Sequence, residues 1–482
     1  RHASLALAAA PTVVRTFRSV IVPHLSDWER LAALRDRPFH PTARARRGWD
    51  DEAYRRYSPE YGRTVTLEWV AVHKEWVQQS QEAELTTPAA LLLSQADQVH
   101  LNHILDMRQL GKTHIPIPVH PWQAVHGLRQ LFSEEIRANI VAVLDAPLGQ
   151  FVPTSSIRTL APVAGNGYHV KLPLAIGSLG ALRILPPHYL HNGEQAQSYL
   201  DTILQRDIRL SQRLVLCNER RWWSYLPPGR GLTDPDAGHL GCLIRGYPVM
   251  PARHVTVLPL SALTVQTQDQ EVPALVAVIG PECSLHRVLQ FFSDLVTVVS
   301  EVAFICLEYG VMPELHGQNV LLVHEPGGRL RLLLRDHDTL RMYPQAVEQS
   351  GMPAPRYLLR PGPNTLINSS REELLSYFQT LAVQVMLTSI GKTLAQACHA
   401  EESVFWRILR EGIERAHASQ ALSCELRELL RTHVLESETW PSKLILSPLF
   451  QRPACEGPGM PSTQGVTPNP LRDVNRKRKT RR

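Results

Sequence analysis

The sequence lacks the cysteine patterns that organise secreted domains and zinc sites. Its 482 residues include seven cysteines, which are scattered, odd in number and form no CxxC pair. This irregular spacing argues against a disulfide framework and a zinc site, and it suits the reducing cytosol. The sequence also lacks an apolar run close to the ~18 residues that a bilayer span requires. We therefore expect a cytoplasmic protein without a membrane partner.

Residues 1–475 carry no net excess of positive or negative charge. The formal net charge is +6, and residues 476–482 alone carry six Lys and Arg. The remainder is therefore neutral overall, and the basic composition describes a tail, not a surface for nucleic acid. We expect no nucleic-acid partner and a disordered basic segment over 472–482.

Familiar nucleotide-binding and hydrolase motifs are absent as well. The sequence holds no GxSxG, HExxH or GxGxxG motif. Two GKT segments lack the earlier glycine that a P-loop requires, because Asp106 and Met386 occupy those positions. Three histidines without metal-ligand spacing are expected to be surface or structural residues: His188, His191 and His254.

The order of sequence patterns indicates a β-rich part followed by a helical part. The start, RHASLALAAAPTVV, faintly resembles a signal peptide, but a chain without its natural N-terminus explains its short Ala-rich run better. Residues 26–62 indicate loops between short helices, and the prolines of HIPIPVHPWQ force an extended path. Short apolar runs divided by Gly and Pro predict strands from about 150 to 265.

After Pro281 the apolar residues recur at helical spacing. The pattern predicts a long helix from Leu285, with Ser284 as N-cap and Gly310 as its stop. The capping-box pattern that starts at Ser370 predicts further helices to about Leu435, and the last forty residues are expected to be irregular.

The segment SSIRTLAPVAGNGYHVKLPL, residues 155–174, predicts a hairpin that carries cations. Asn166-Gly167 favours a two-residue turn, which places position 158 opposite 175 and position 162 opposite 171. Arg158 and Lys171 then lie on one face, and Arg183 follows on the next strand. With Ser156 and Thr159 beside them, these cations suit a polyphosphate; the alternative is an ordinary solvated sheet face.

A second hairpin, in PELHGQNVLLVHEPGGRLRLLLRDHD, predicts the complementary half of a site. Strands at about 319–324 and 329–334 bring His316, Asn319 and Asp336 to the same open end. A carboxylate and an amide oxygen are ligands that Mg²⁺ takes when phosphates and water supply the others. A neutral His there can donate a hydrogen bond to an anion. The alternative is that Asp and Asn simply cap the strand ends.

These segments together resemble a known family. HPWQ (120–123), SIRT (156–159), Lys171 with Arg183, HGQN (316–319) and RD (335–336) are similar, in order and spacing, to the motifs of NRPS-independent siderophore synthetases, the IucA/IucC family. HPTARARRG, YSPEYG and the terminal NPL extend the resemblance, which runs from about Trp28 to Leu471.

The resemblance implies an α+β fold shaped like a cupped hand. The expected parts are a remnant of an N-terminal thumb (1–55), β-rich fingers with the phosphate-binding strands (56–270), a mostly helical, kinase-like palm (271–471) and the basic tail (472–482). We expect HPWQ and the segment around HPTARARRG to have structural roles.

The resemblance also implies a reaction and its cofactors. Family members use ATP and Mg²⁺ to adenylate a carboxylate of citrate or a citrate derivative, which an amine or alcohol then captures. His316, Lys171 and Arg183 are the implied catalytic residues, and Asp336 with Asn319 the implied Mg²⁺ ligands. The implied nucleotide-binding set is Ser156, Arg158, Thr159, Lys171, Arg183, Gln318 and Asn319. A homodimer is expected by analogy.

Some positions depart from the family pattern. The segment before DWERL is short, SLG (178–180) replaces a hydroxyl- or amide-bearing pair, and Arg44 stands where Lys is usual. KLILSPLF (443–450) lacks the basic pattern of relatives. Two alternatives therefore stay open: a homologue that binds nucleotide or citrate without turnover, and a phosphotransferase that releases ADP. The sequence does not identify the acceptor.

Overall fold

The computed structural model describes residues 1–18, 23–250, 255–361, 365–418, 422–451 and 463–472. Its strands are β1 (Val65–His73), β2 (Val77–Gln79), β3 (His114–Val119), β4 (Val141–Val143), β5 (Leu148–Pro153), β6 (Thr159–Pro162), β7 (Tyr168–Lys171), β8 (Gly177–Ser178), β9 (Ala181–Leu182), β10 (Leu214–Leu216), β11 (Asn218–Tyr225), β12 (Gly241–Gly246), β13 (Thr256–Pro259), β14 (Val311–Met312), β15 (Val320–His324), β16 (Leu330–Leu334), β17 (Arg341–Met342), β18 (Thr439–Leu444) and β19 (Thr463–Pro468).

Its α-helices are α1 (His2–Arg18), α2 (Leu25–Ala32), α3 (Asp51–Tyr57), α4 (Pro88–Leu92), α5 (Gln95–Met107), α6 (Pro121–Gln123), α7 (Arg129–Leu131), α8 (Ser133–Arg137), α9 (Pro187–Arg206), α10 (Ile208–Ser211), α11 (Pro273–Ile279), α12 (Leu285–Glu308), α13 (Pro344–Gln349), α14 (Arg371–Tyr377), α15 (Thr388–Ala397), α16 (Glu402–His417), α17 (Cys424–Leu430) and α18 (Leu446–Gln451). The expected α+β class is confirmed.

The largest sheet has nine strands and begins earlier in the chain than expected. Its order is β2-β11-β12-β7-β6-β5-β1-β3, with β4 paired to β1. The apolar runs predicted strands only from about residue 150, whereas β1 begins at Val65, a position inside the β-rich range 56–270 that the resemblance implied. The second half of β1 is almost continuously buried. It therefore lacks the alternation of apolar and polar residues that marks a half-exposed strand.

Helix α9 interrupts the β-rich part and was not predicted. Pro187 stands in its first turn, where the missing N–H costs nothing. Leu190, Leu200 and Ile203 are buried at helical spacing. The helix packs on β11 and against the turn 337–339. A Cβ at Gly193 would lie 3.4 Å from the backbone nitrogen of Asp338, so α9 and this turn are in close contact at that position.

The hairpin over residues 155–174 has a different register from the prediction. Thr159 pairs with Lys171 and Leu160 with Val170, which leaves a five-residue loop over 163–167. Gly165 and Gly167 both have positive φ, 63° and 79°, so the second glycine allows a wider turn than Asn-Gly alone. The predicted pairings of 158 with 175 and 162 with 171 are therefore wrong.

The helical part follows the prediction closely. The side chain of Ser284 accepts a hydrogen bond from the Arg287 N–H at 3.5 Å, and Gly310 follows the end of α12 with φ +72°. Ser370 caps α14 as expected, and helical structure continues to residue 436. Contrary to the expectation that no run approaches the length of a bilayer span, two stretches, Leu285–Glu308 and Arg371–Ala397, are long and apolar enough to cross a membrane. Most of each is buried in the protein, as in core helices.

A four-stranded sheet of order β10-β16-β15-β13 joins the two parts of the chain. Its central pair is the predicted hairpin, in which Val320 pairs with Leu334 and His324 with Leu330. Strand β10 adds in parallel to β16, and β13 adds antiparallel to β15. Two strands from the first part of the chain therefore flank the hairpin that carries the predicted site residues.

The C-terminal end is more regular than expected. Strands β18 and β19 are antiparallel: Thr439 pairs with Pro468, and Leu444 pairs with Thr463. The last forty residues are therefore not all irregular. The expected disorder at the basic end concerns residues that, after Arg472, lie outside the described part of the chain.

Candidate active site

A cleft of about 870 Å³ lies between the nine-stranded sheet and the hairpin β15–β16. Of the nine site residues predicted from the sequence, seven line this cleft: Ser156, Arg158, Lys171, Arg183, Gln318, Asn319 and Asp336. The other two, Thr159 and His316, are buried beside it. The two predicted half-sites therefore meet in one cleft.

Lys171 and Asp336 connect the two sides of the cleft. Lys171 ends β7, Asp336 follows β16, and Lys171 Nζ lies 2.5 Å from Asp336 Oδ1. Arg245 Nη2, from β12, donates to the same oxygen at 2.8 Å. Burial alone would raise the pKa of Asp336, but Lys171 and Arg245 outweigh it and hold that pKa well below its usual range. Asp336 is therefore a carboxylate at neutral pH.

The backbone at Asp336 adopts the left-handed conformation, with φ +59° and ψ +62°. Glu219 supports it, because its Oε1 accepts the N–H of Asp336 at 3.0 Å and its Oε2 accepts that of His337 at 3.1 Å. Glu219 also pairs with Arg245. Among the described residues, Asp336 Oδ2 has no hydrogen-bond partner, so one oxygen remains available to a ligand.

The loop 154–158 presents Arg158 to the cleft from outside the strands. Ile157 has φ +28°, and Arg158 Nη1 donates to the Ile184 carbonyl at 2.5 Å. Thr159 begins β6 with its hydroxyl buried and unpaired. Direct nucleotide contact by the Thr159 hydroxyl is therefore not supported. The cationic side chains meet because the loop turns back, not because their positions share a strand face.

A group of arginines lines the end of the cleft near Arg183. Burial and then the charges of Arg158, Arg37 and Arg46 lower the pKa of Arg183 to about 9. Arg46 donates to the carbonyls of Ala43 and Ala45 and to Ser178. No carboxylate in the described part of the chain forms an ion pair with Arg37, Arg46 or Arg183. Arg46 is buried and Arg37 and Arg183 are half-buried, and cations withdrawn from water without carboxylate partners favour a bound anion.

His316 is held behind the cleft wall by residues that line it. Its Nδ1 accepts the Gln318 N–H at 3.3 Å, and its Nε2 lies 3.5 Å from the Glu314 carboxylate and 2.9 Å from Arg37 Nη1. Arg37 donates through Nη1 to His316 and through Nη2 to Gln318 Oε1, the latter at 2.7 Å. Burial and the charge of Arg37 lower the pKa of His316, so the imidazole is neutral at neutral pH.

The sequence analysis missed several residues of the cleft. Asp338 also lines it, with Oδ2 3.7 Å from Lys171 Nζ. Burial first, and then Asp336 and Glu219, raise the pKa of Asp338. The spacing of two in RDHD gave a signal for this second carboxylate. Arg46 lies in HPTARARRG and Arg37 just before it, a segment for which we expected a structural role; both side chains line the cleft, which no periodicity indicated.

The HPWQ segment has the structural features that we expected. His120 is buried, its Nδ1 accepts the Trp122 N–H at 3.1 Å, and burial lowers its pKa to about 3. Gln123 Oε1 accepts the Ala175 N–H at 2.9 Å. Among the histidines expected to be surface or structural, His188 is buried but lines the cleft, and His254 lies outside the described residues. His191 is half-buried, and its Nε2 donates a hydrogen bond to the Arg356 carbonyl at 3.2 Å.

Comparison with known proteins agrees with this architecture. A family model described as "IucA / IucC family" matches residues 24–265, and one described as "Ferric iron reductase FhuF-like transporter" matches residues 289–456. Staphyloferrin B synthase from Staphylococcus aureus is 33% identical over 445 residues, covering 92% of this chain and 76% of that protein. The chain spans 59% of a second synthase from the same organism.

Two solved structures share the fold. Petrobactin biosynthesis protein AsbB from Bacillus anthracis matches with a TM-score of 0.78 at 21% identity, over 97% of this chain and 78% of that one. ATP-bound aerobactin synthetase IucA from Klebsiella pneumoniae matches with a TM-score of 0.73 at 18% identity, over 98% and 80%. The fold is thus that of siderophore synthetases. The chain belongs to the IucA / IucC family, as its motifs predicted.

Proposed function

We propose that this chain is an ATP-dependent ligase of siderophore biosynthesis. It activates a carboxylate of citrate, or of a citrate derivative, as an acyl-adenylate and transfers the acyl group to an amine or alcohol. The observation that carries the proposal is the contact of Lys171 with Asp336, at 2.5 Å. This contact brings two segments into one cleft: the cationic loop, residues 154–158 with the neighbouring strand β7, and the acidic hairpin end, residues 335–338.

In the first step a carboxylate oxygen attacks the α-phosphorus of ATP, and pyrophosphate leaves. Two anions must approach each other, so cations have to neutralise the charge that accumulates on the phosphates. Arg158, Lys171 and Arg183 line the cleft and supply this charge, and Ser156 offers a hydrogen bond. Gln318 and Asn319 border the nucleotide. Thr159 closes the loop that carries Ser156 and Arg158, because its carbonyl accepts the Thr154 hydroxyl at 2.8 Å.

The hairpin end fits a magnesium ion. Asp336 keeps one oxygen without a partner in the described part of the chain, and Asn319 also lines the cleft, with its Nδ2 donating to Glu314 at 3.2 Å. This leaves a carboxylate and an amide oxygen, a hard donor set that Mg²⁺ completes with phosphate oxygens and water. Asp336 and Asn319 would hold the ion, with Asp338 nearby, and the bound ion would supply charge neutralisation for the polyphosphate.

The acid substrate belongs at the arginine-rich end. Arg37, Arg46 and Arg183 face the cleft without carboxylate partners in the described chain, and a tricarboxylate would provide those partners. His316 is neutral and bound to Arg37, so its role is to hold this guanidinium in place, next to the acyl group that reacts. In the second step the acceptor nitrogen or oxygen attacks the acyl carbon, AMP leaves, and the acceptor loses a proton to solvent.

The remaining expectations on partners are part of the proposal. The substrates are small molecules: ATP, a citrate-like acid and an amine or alcohol. We propose a cytoplasmic enzyme without nucleic-acid or membrane partners, which forms a homodimer by analogy with related ligases.

Product analysis tests the proposal. The protein should release pyrophosphate and AMP from ATP in the presence of citrate and Mg²⁺, and hydroxylamine should trap the activated acid as a hydroxamate. Release of ADP would indicate a phosphotransferase instead. Calorimetric binding of ATP and citrate without pyrophosphate release, for every amine in a broad panel, would indicate a protein that binds without turnover.

A further inference from the structure

A buried carboxylate in the N-terminal part of the chain contacts both halves of the cleft. Glu29 lies on α2 with no exposed surface. Its Oε2 accepts hydrogen bonds from the Ser155 hydroxyl at 2.7 Å and from the Ser155 N–H at 3.2 Å. Both of its oxygens also bind Arg335, the residue before Asp336. One side chain therefore contacts the start of the cationic loop and the end of the acidic hairpin.

Arg335 extends this network to the third motif of the site. Its Nε donates to the Gln318 carbonyl at 2.9 Å, and its Nη1 donates to the Tyr247 hydroxyl at 2.9 Å. The N–H of Arg335 also bonds to the Asn319 carbonyl at 3.2 Å. Segments 155–158, 316–319 and 335–336, which are far apart in sequence, are thus tied to Glu29 directly or through one arginine.

The contacts of Glu29 exceed what stability alone requires. Removing a buried ion pair from water costs energy that its mutual attraction often fails to recover, and apolar residues of similar volume are frequently as stabilising. A buried acid at position 29 is explained if the segments that it holds in place are needed for ligand binding. Of the two residues that it fixes, Ser155 itself lines the cleft next to Ser156, and Arg335 precedes Asp336, which also lines it.

We propose that Glu29 is a positioning residue of the nucleotide site: it sets the cationic loop in register with the acidic hairpin end. It touches no substrate, because it lies beneath the cleft and is absent from its lining. This inference rests on the proposed function, in which both segments bind one nucleotide. It assigns to helix α2 a role in catalysis that its sequence, DWERL, does not reveal.

Binding of Mg·ATP to Glu29→Gln and Ser155→Ala variants, measured by calorimetry, tests this proposal. Groups that orient a ligand-binding residue typically contribute about 10–100-fold to affinity or activity, so we expect a loss in that range for each variant. Ser155→Ala keeps the Glu29–Arg335 pair and therefore folds even if Glu29→Gln does not. The double variant should bind no more weakly than Glu29→Gln, because both changes break the same link.

Asp207→Asn is the matched control. Asp207 is also a buried carboxylate with an arginine partner, Arg209, at 2.5 Å, but it contacts no residue of the cleft. It should lose stability and keep its ATP affinity. Unchanged ATP affinity in Glu29→Gln or in Ser155→Ala would overturn the proposal. Wild-type protein that binds ATP without releasing pyrophosphate would instead refute the proposed function and leave this inference to the binding data.

Discussion

Replacement of Lys171 by methionine separates a catalytic role from a structural one. Lys171 is 4% exposed, and methionine fills the space of its aliphatic stem without the charge. Asp336 keeps Arg245 at 2.8 Å, so the substitution does not leave a buried carboxylate without a partner. The full 3–5 kcal/mol that breaking a buried pair typically costs therefore does not apply, and we expect the free energy of unfolding to fall by less than about 2 kcal/mol.

The effect on the reaction should be larger. A preorganised group that stabilises developing charge contributes ~3–4 kcal/mol, which corresponds to a loss of about 10²–10³-fold in turnover. Pyrophosphate release at saturating citrate and Mg·ATP, with hydroxylamine as trap, measures this loss. Urea denaturation of the same samples shows whether the protein is folded.

Lys112→Met provides the control for this prediction. Lys112 is an exposed lysine in the LGKTH segment, which we excluded as a P-loop, and its replacement should leave turnover and stability unchanged. A folded Lys171→Met protein that retains more than about a tenth of wild-type turnover would refute the assignment of Lys171, because a donor of the proposed kind typically contributes about 10²–10³-fold.

Three further predictions concern other groups of the site. Asp336→Asn should raise the Mg²⁺ concentration needed for half-maximal ATP binding by at least about tenfold, measured by calorimetry over a Mg²⁺ series, and an unchanged requirement would exclude it as a ligand. Arg46→Gln should weaken citrate binding about tenfold and leave ATP affinity unchanged; equal losses for both ligands would argue against a separate acid site. For Glu29, burial raises the pKa, but Arg335 outweighs it and the pKa lies below its usual 4.5. A depressed carboxyl pKa adds stability that is present above about pH 4.5 and lost as the pH falls through the folded-state pKa. The stability difference between wild type and Glu29→Gln should therefore shrink on acidification, and denaturation curves at about pH 7 and pH 3.5 measure it.

The sequence predicted those parts of the site that lie on regular elements. The hairpin β15–β16 was predicted to within one residue at each strand start, because EPGG fixes its turn and the flanking runs are apolar. That turn brings Asn319 and Asp336 to the same end, as expected. The order of the motifs then identified the family, which periodicity alone does not do.

The failures lie where the backbone leaves regular geometry. The loop before β6 carries Arg158 at a bend with positive φ at Ile157, and no strand alternation describes its direction. Arg37 and Arg46 lie in turns, where function depends on long-range contacts that a sequence pattern does not encode. Glu29 is hidden for another reason: within an amphipathic helix, a single acid on the inner face is indistinguishable from one on the solvent face.

The four-stranded sheet β10-β16-β15-β13 fixes the hairpin that forms one wall of the cleft. A cut near residue 270 would strip the hairpin of both neighbours and expose two unsatisfied strand edges, which invites self-association. In the proposed function, these strand pairs hold the hairpin wall of the cleft to the first part of the chain. We therefore expect nucleotide and acid to enter a groove whose shape and charge are largely set before they bind.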